Sequence, residues 1–155
     1  AFFGLIFTHI ALLSCAFMAG LALGSWGISV RLEKINNTRG LFIKIESGII
    51  MLCALIILLL RYLGPLINPA VAMPLFFLLS AVCGWLVGLE FPLANKIFLE
   101  QARPGAAGIL YALDLAGAYM AALTVSVIME PVLGVLPSCL FLILLKIASL
   151  VLVAI

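Results

Sequence analysis

Five long apolar runs, separated by short polar or Pro/Gly-rich connectors, divide this sequence. They cover approximately residues 2–30, 40–63, 70–98, 105–129 and 138–155. As helices, runs of this length cross the roughly 30 Å of bilayer hydrocarbon. None shows the apolar/polar alternation of a membrane barrel strand. We therefore predict an all-α integral membrane protein, with residues 1–155 forming one bundle of about five transmembrane helices.

The composition supports lipid as the solvent of this chain. Hydrophobic residues make up 67% of it and charged residues 9%, whereas a soluble domain carries about 25% charged residues. The sequence begins Ala-Phe-Phe and ends inside an apolar run, so we expect a fragment of a longer chain. The small net charge of +2 carries no information about nucleic acid, and we expect no nucleic-acid partner. The expected partners are the lipid bilayer and other transmembrane helices of a parent chain or complex.

Basic residues are distributed unequally between the connectors. The first and third connectors carry Arg31, Lys34, Arg39, Lys96 and Arg103, with Lys44 just beyond the first. The other two have only Arg61 nearby. The positive-inside rule predicts that residues 31–39 and 96–104 are cytoplasmic and that the chain starts outside. The expected location is the bacterial inner membrane.

A weak internal repeat relates the first and third runs. Gly20 and Gly24 in FMAGLALG match Gly84 and Gly88 in AVCGWLVG, 64 positions later. Two crossings separate the copies, so the repeat is parallel, as in some transporter folds. If the repeat is real, we expect the chain to be part of a larger, major-facilitator-like bundle. The alternative is that these glycines reflect general small-residue helix packing.

Asp114 lies inside an apolar run, near the middle of the bilayer. Because a charge at that depth costs about 2.5–3.5 kcal/mol even on lenient insertion scales, we predict a charge pair with Lys146 in the last run. The small residues Gly117, Ala118 and Ala121 share the face of Asp114 and predict a helix contact there. Structural pairing and solute or proton handling both remain open for this carboxylate.

Three other ionisable residues are candidates for a binding site. Glu90 precedes Phe91-Pro92, where a proline-opened helical turn favours either a polar cavity or a position near the headgroups. Glu46 follows Lys44 and is predicted to be a snorkelling or solvated residue near the cytoplasmic surface. His9 shares a face with Gly20 and is expected to form a hydrogen bond inside the bundle, with a proton relay as the alternative.

The sequence gives no support for enzymatic chemistry or for a metal site. The four cysteines are isolated in apolar runs, which is typical of small core residues. Glycine-rich stretches lie inside membrane runs, and neither a zinc-protease nor a nucleophile-elbow motif is present. We expect no cofactor and no catalytic residue.

Three segments resemble a known family. They are GLALGSW, GLEFPLANK and GILYALDLAGAYMAALTVSVIMEPVLG, and they resemble the membrane portion of the spermidine-synthase-like membrane proteins, also described as fused major-facilitator/spermidine-synthase proteins. The similarity is most specific between Gly88 and Gly134. It implies a multi-helix membrane module, with an aminopropyltransferase-like domain attached or encoded nearby. The glycine-rich cofactor loop of that domain is absent from this sequence.

Two functions follow from these observations. The first is binding or transport of a small cationic solute such as a polyamine, by Asp114, Glu90, Glu46 and His9. The second is a non-catalytic anchor or scaffold subunit in a larger membrane complex. A polycation requires carboxylates that are free to bind it, whereas a scaffold requires helix surfaces that are free to pack.

Overall fold

The structure is a computed structural model that describes residues 2–32, 35, 37–63, 69–101 and 106–154. These residues form five α-helices and no strand. The helices are α1 (Phe2–Ser29), α2 (Thr38–Leu58), α3 (Pro69–Gln101), α4 (Ala106–Leu123) and α5 (Val135–Ala154). Two π-helical segments continue α2 over Leu59–Leu63 and α4 over Thr124–Leu133. All five helices are long and apolar enough to cross a membrane, which confirms the predicted all-α membrane fold.

The predicted outer connector at residues 130–137 is almost entirely helical, so this boundary prediction was wrong. Pro131 lies inside the π-helical segment. Pro137 is the third residue of α5, where a missing amide breaks no intrahelical bond. Gly134 alone separates the two helices, and its positive φ of 81° suits a residue without a Cβ. Its amide donates to the carbonyls of Met129 and Glu130, each at 3.1 Å.

The α1–α3 crossing is the closest helix contact in the described chain. A Cβ added to Gly20 would overlap the carbonyl of Ala81, and one added to Gly84 would overlap the carbonyl of Phe17. Gly24 and Gly88 meet the backbones of Trp85 and Leu21 in the same way. Each contact on one helix has its counterpart 64 positions away on the other. The crossing is therefore a reciprocal pairing of two glycine motifs, the arrangement that lets helix backbones touch in lipid.

Helix α2 packs against α3 on one side and α5 on the other. A buried apolar cluster joins the neighbouring ends of α1, α2 and α3. Its members are Ile28, Phe42, Ile45, Ile49 and Leu93. At the same end, Lys96 Nζ donates to the carbonyls of Leu32 at 2.9 Å and Ile35 at 3.2 Å. The third helix thus holds the start of the first connector, whereas Arg103 and residues 102–105 lie outside the described residues.

Helix α4 lies at the edge of the bundle. Its contact with α3 is slight, and every side chain from residue 111 to 128 is exposed. A Cβ added to Gly117 would meet nothing within 4 Å, and Ala118 and Ala121 are exposed as well. The predicted close helix contact on this face is therefore not formed within the described chain, and Ala121 instead lines a wide groove between α4 and α5.

A candidate cation-binding cluster

Lys146 on α5 is held by a carboxylate from α3. Its Nζ donates to Glu90 Oε1 at 2.6 Å and to Glu90 Oε2 at 2.7 Å. The side chains of Lys146 and Glu90 are 19% and 17% exposed. Both charges are thus largely withdrawn from the protein surface. A hydrogen-bonded ion pair in such a buried position is screened much less than an exposed pair.

A second carboxylate, from α2, reaches the same ammonium. Glu46 Oε2 lies 3.3 Å from Lys146 Nζ, a charge contact that is not aligned as a hydrogen bond. Glu46 Oε1 accepts a hydrogen bond of 2.7 Å from Ser149 Oγ, one helical turn beyond Lys146. The Glu46 side chain is 0% exposed. We call Glu46, Glu90, Lys146 and Ser149 the ionic cluster.

The charges of the ionic cluster do not balance. Two carboxylates face one ammonium, so the cluster carries one formal negative charge when all three groups are ionised. A buried net charge is costly unless another charge or a proton compensates it. The cluster is therefore chemically suited to accept one more positive charge.

The structure corrects the predicted pair of Asp114 and Lys146. Lys146 binds Glu90 and Glu46, whereas the Asp114 side chain is exposed on α4. The prediction for Glu46 is also corrected, because this residue is fully buried and does not share the exposed position of Lys44. Glu90 lies between α3 and α5, where it binds Lys146.

Depth alone could not have identified the right partner for Lys146. Glu46 is eight residues from the start of its span at Thr38, and Asp114 is six residues from the start of its span at Gly108. Both carboxylates therefore lie at nearly the same depth, at about 1.5 Å per residue. Glu46 and Asp114 differ in the neighbours of their helices, since α5 packs on α2 and not on α4. Sequence reasoning also missed Ser149, although it lies three residues after Lys146 and so shares its face.

His9 does not join the ionic cluster. It is half-buried on α1, and its Nδ1 is buried without a hydrogen-bond partner in the described part of the chain. The expected hydrogen bond inside the bundle is therefore not made by this atom. The four candidate binding residues thus separate: Glu46 and Glu90 converge on Lys146, while His9 and Asp114 lie apart from them.

A wide apolar groove of about 520 Å³ lies between α5 and the end of α4 with its π-helical continuation Thr124–Leu133. Its walls include Met120, Val125, Phe141 and Leu142, and its few polar groups include Glu130 and Ser138. Such a lining suits acyl chains or a hydrophobic side chain better than a polycation. The ionic cluster, not this groove, is the candidate site for a charged ligand.

Fold and site together define a multi-pass α-helical membrane protein with a buried three-helix ionic cluster. No protein-family model, curated protein or solved structure matches the chain.

Proposed function

We propose that this chain is the membrane module of a transporter-type protein and that the ionic cluster binds a small cationic solute. The observation that carries the proposal is that two carboxylates from different helices already hold one primary ammonium group. The resemblance noted in the sequence names polyamines as the first solutes to test.

The ammonium of Lys146 is chemically the same group as the end of a polyamine. Both are compact primary alkylammonium ions with three donors. A polyamine ammonium entering the cluster would neutralise its excess negative charge or replace Lys146 on Glu90. Release of Lys146 from Glu90 and Glu46 would loosen the α5 contacts with α3 and α2, which couples binding to helix movement.

Access to the ionic cluster favours the Glu90 side. Glu46 is completely enclosed, whereas Glu90 and Lys146 retain partial exposure. An incoming cation would meet Glu90 first and Glu46 second. Glu90 is therefore the binding residue whose loss should abolish binding, while Glu46 sets the charge behind it.

Uptake of labelled spermidine into proteoliposomes tests this function. We expect uptake above that of protein-free liposomes, and loss of it in Glu90→Gln, which keeps the shape of the side chain and removes its charge. Glu130→Gln is the matched control, because Glu130 is an exposed acid outside the ionic cluster. Wild-type uptake equal to that of protein-free liposomes, or equal loss in both variants, would reject the proposal.

A scaffold role is the second candidate, favoured by the open surface of α4. Nearly all of this helix is exposed, including a charged residue inside the span. A chain that anchors other subunits should retain them when purified in mild detergent. Recovery of the chain without any other polypeptide would count against this role.

We further propose a non-enzymatic module in the bacterial inner membrane, with the Lys96 end of α3 in the cytoplasm. The unequal distribution of Lys and Arg supports this orientation. Labelling of single cysteines introduced at Arg31 and Arg61 with a membrane-impermeant thiol reagent tests it. Only the Arg61 position should react from outside.

A further inference from the structure

We propose that a second copy of this chain packs against α4, with Lys44 of each copy paired to Asp114 of the other. This inference goes beyond the cation-binding proposal, since neither residue belongs to the ionic cluster. It concerns two exposed charges of opposite sign and the helix faces that carry them.

Asp114 and Lys44 are both exposed residues inside membrane spans. Neither has an ion-pair partner among the residues that the structure describes. A charge that faces hydrocarbon destabilises a membrane helix unless it finds a partner or water. Joining the two would remove this cost from both surfaces at once.

The two charges lie at the same depth. Lys44 is six residues from the start of its span at Thr38, and Asp114 is six residues from the start of its span at Gly108. Helices α2 and α4 are separated by one crossing, so they run in the same direction. In the described chain α2 and α4 make no substantial contact with each other. Lys44 and Asp114 therefore do not pair within one copy.

The surfaces next to the two charges are complementary in shape. Beyond Asp114, the α4 face carries the small residues Gly117, Ala118 and Ala121. Beyond Lys44, the α2 face carries the small Ser47 and then the large Met51, which is 76% exposed. With the charges paired and the helices parallel, Ser47 lies level with Gly117 and Ala118, and Met51 lies level with Ala121. Small residues let a facing helix approach closely, and van der Waals packing then favours helix association in lipid.

Symmetry closes the arrangement. Two copies in one membrane have the same orientation, so a two-fold axis along the membrane normal keeps α2 of one copy parallel to α4 of the other. Each copy then supplies one Lys44 and one Asp114, which gives two equivalent ion pairs. This assigns a second copy, not an unrelated helix, as the occupant of the α4 face.

Cross-linking between differently tagged copies tests the contact. Met51→Cys in one copy and Ala121→Cys in the other are co-expressed after replacement of Cys15, Cys53, Cys83 and Cys139 by alanine, and a short bifunctional thiol reagent is added to the membranes. We expect a covalent dimer that carries both tags. Tyr119→Cys is the matched control for Ala121, because it is an exposed residue on the opposite face of α4 at nearly the same depth, and it should not cross-link.

Charge exchange tests the ion pair itself. Lys44→Glu or Asp114→Lys alone places like charges together, and each should lower the yield of dimer by about tenfold or more. The double variant Lys44→Glu/Asp114→Lys restores opposite charges and should recover most of the yield. An intramolecular cross-link between Gly48→Cys and Leu86→Cys reports folding in each variant, since a Cβ on Gly48 lies 3.8 Å from Leu86 Cδ2.

Three outcomes would overturn the inference. The first is a folded chain with no cross-link between copies through Met51 and Ala121. The second is a double variant that dimerises no better than the single ones. The third is a cross-link from Ala121 to a different polypeptide in place of the second copy.

Discussion

The α1–α3 crossing and the open face of α4 both carry small residues at helical spacing, but only the first is a helix contact within the chain. At the crossing, glycines occur on both helices and each receives the backbone of the other. On α4, a Cβ added to Gly117 would meet nothing within 4 Å. A stripe of small residues therefore permits close approach without supplying a partner. What decides the contact is a complementary motif on a neighbouring helix.

The same difference separates two carboxylates at similar depth. Glu46 on α2 is enclosed and reaches both Lys146 and Ser149. Asp114 on α4 is exposed. Helix α2 has neighbours on both sides and α4 has almost none, so the partners of a membrane carboxylate follow from the position of its helix in the bundle.

Enlarging a glycine at the crossing should have the largest effect on stability. Gly84→Leu would push its side chain into the backbone of α1, which is not a flexible obstacle, and we expect a loss of about 3 kcal/mol or more. Unfolding of the purified protein by a denaturing detergent measures this. Gly27→Leu is the matched control on α1, since a Cβ there meets nothing within 4 Å. Equal losses in both variants would remove the distinction between packed and open glycines.

Removal of Lys146 should have the next largest effect. Lys146→Met leaves Glu46 and Glu90 without their counter-ion, and breaking a buried pair in this way costs about 3–5 kcal/mol in soluble proteins. We expect somewhat less here because Lys146 and Glu90 are partly exposed. The same unfolding assay measures it.

The triple variant Glu46→Gln/Glu90→Gln/Lys146→Met provides the internal check on that result. It removes all three charges, so it should be more stable than Lys146→Met alone. A triple variant as unstable as the single one would mean that Lys146 stabilises the fold by packing and not by charge.

The sequence was sufficient for the five spans because each apolar run is long and the connectors are polar or rich in Pro and Gly. It was insufficient between residues 130 and 137, where two prolines and a glycine predicted a connector. Pro137 falls in the first turn of α5 and Pro131 within a π-helical segment, and neither position is distinguished by composition. The ends of a helix depend on backbone hydrogen bonds, which cannot be predicted from residue types alone.

The ionic cluster was only partly predictable for a related reason. Charge and depth identified Lys146 as a residue that needs a counter-charge, whereas Glu46 was predicted to lie near the cytoplasmic surface and Glu90 either in a polar cavity or near the headgroups. Predicting the partner of Lys146 would have required knowledge of which helices lie next to α2. That order depends on packing between residues far apart in sequence. Asp114 was assigned to Lys146 because the two had similar depth, and depth is shared by all four ionisable residues.

Loss of the Ser149 hydroxyl should have a moderate effect. Ser149→Ala removes the 2.7 Å hydrogen bond to the buried Glu46 Oε1 and leaves a charged oxygen without its donor, for a loss of about 1.5–3 kcal/mol. Ser138→Ala is the matched control on the same helix, because the Ser138 hydroxyl donates to the uncharged backbone carbonyl of Gly134 and its loss should cost less. Equal stability of the two variants would show that Ser149 is not needed to hold Glu46.

Neutralisation of Asp114 should have the smallest effect on a single copy of the chain. The side chain is exposed on a helix with few contacts, so Asp114→Asn should change the stability of detergent-solubilised monomer by no more than about 0.5 kcal/mol. Lys146→Met measured in the same detergent is the comparison, since it removes a charge of similar depth from the enclosed side of the bundle. A large loss for Asp114→Asn in the monomer would place this carboxylate in a contact inside one copy and would erase the difference between α2 and α4. A small loss in the monomer, together with a weaker dimer, would assign the role of Asp114 to the surface between copies.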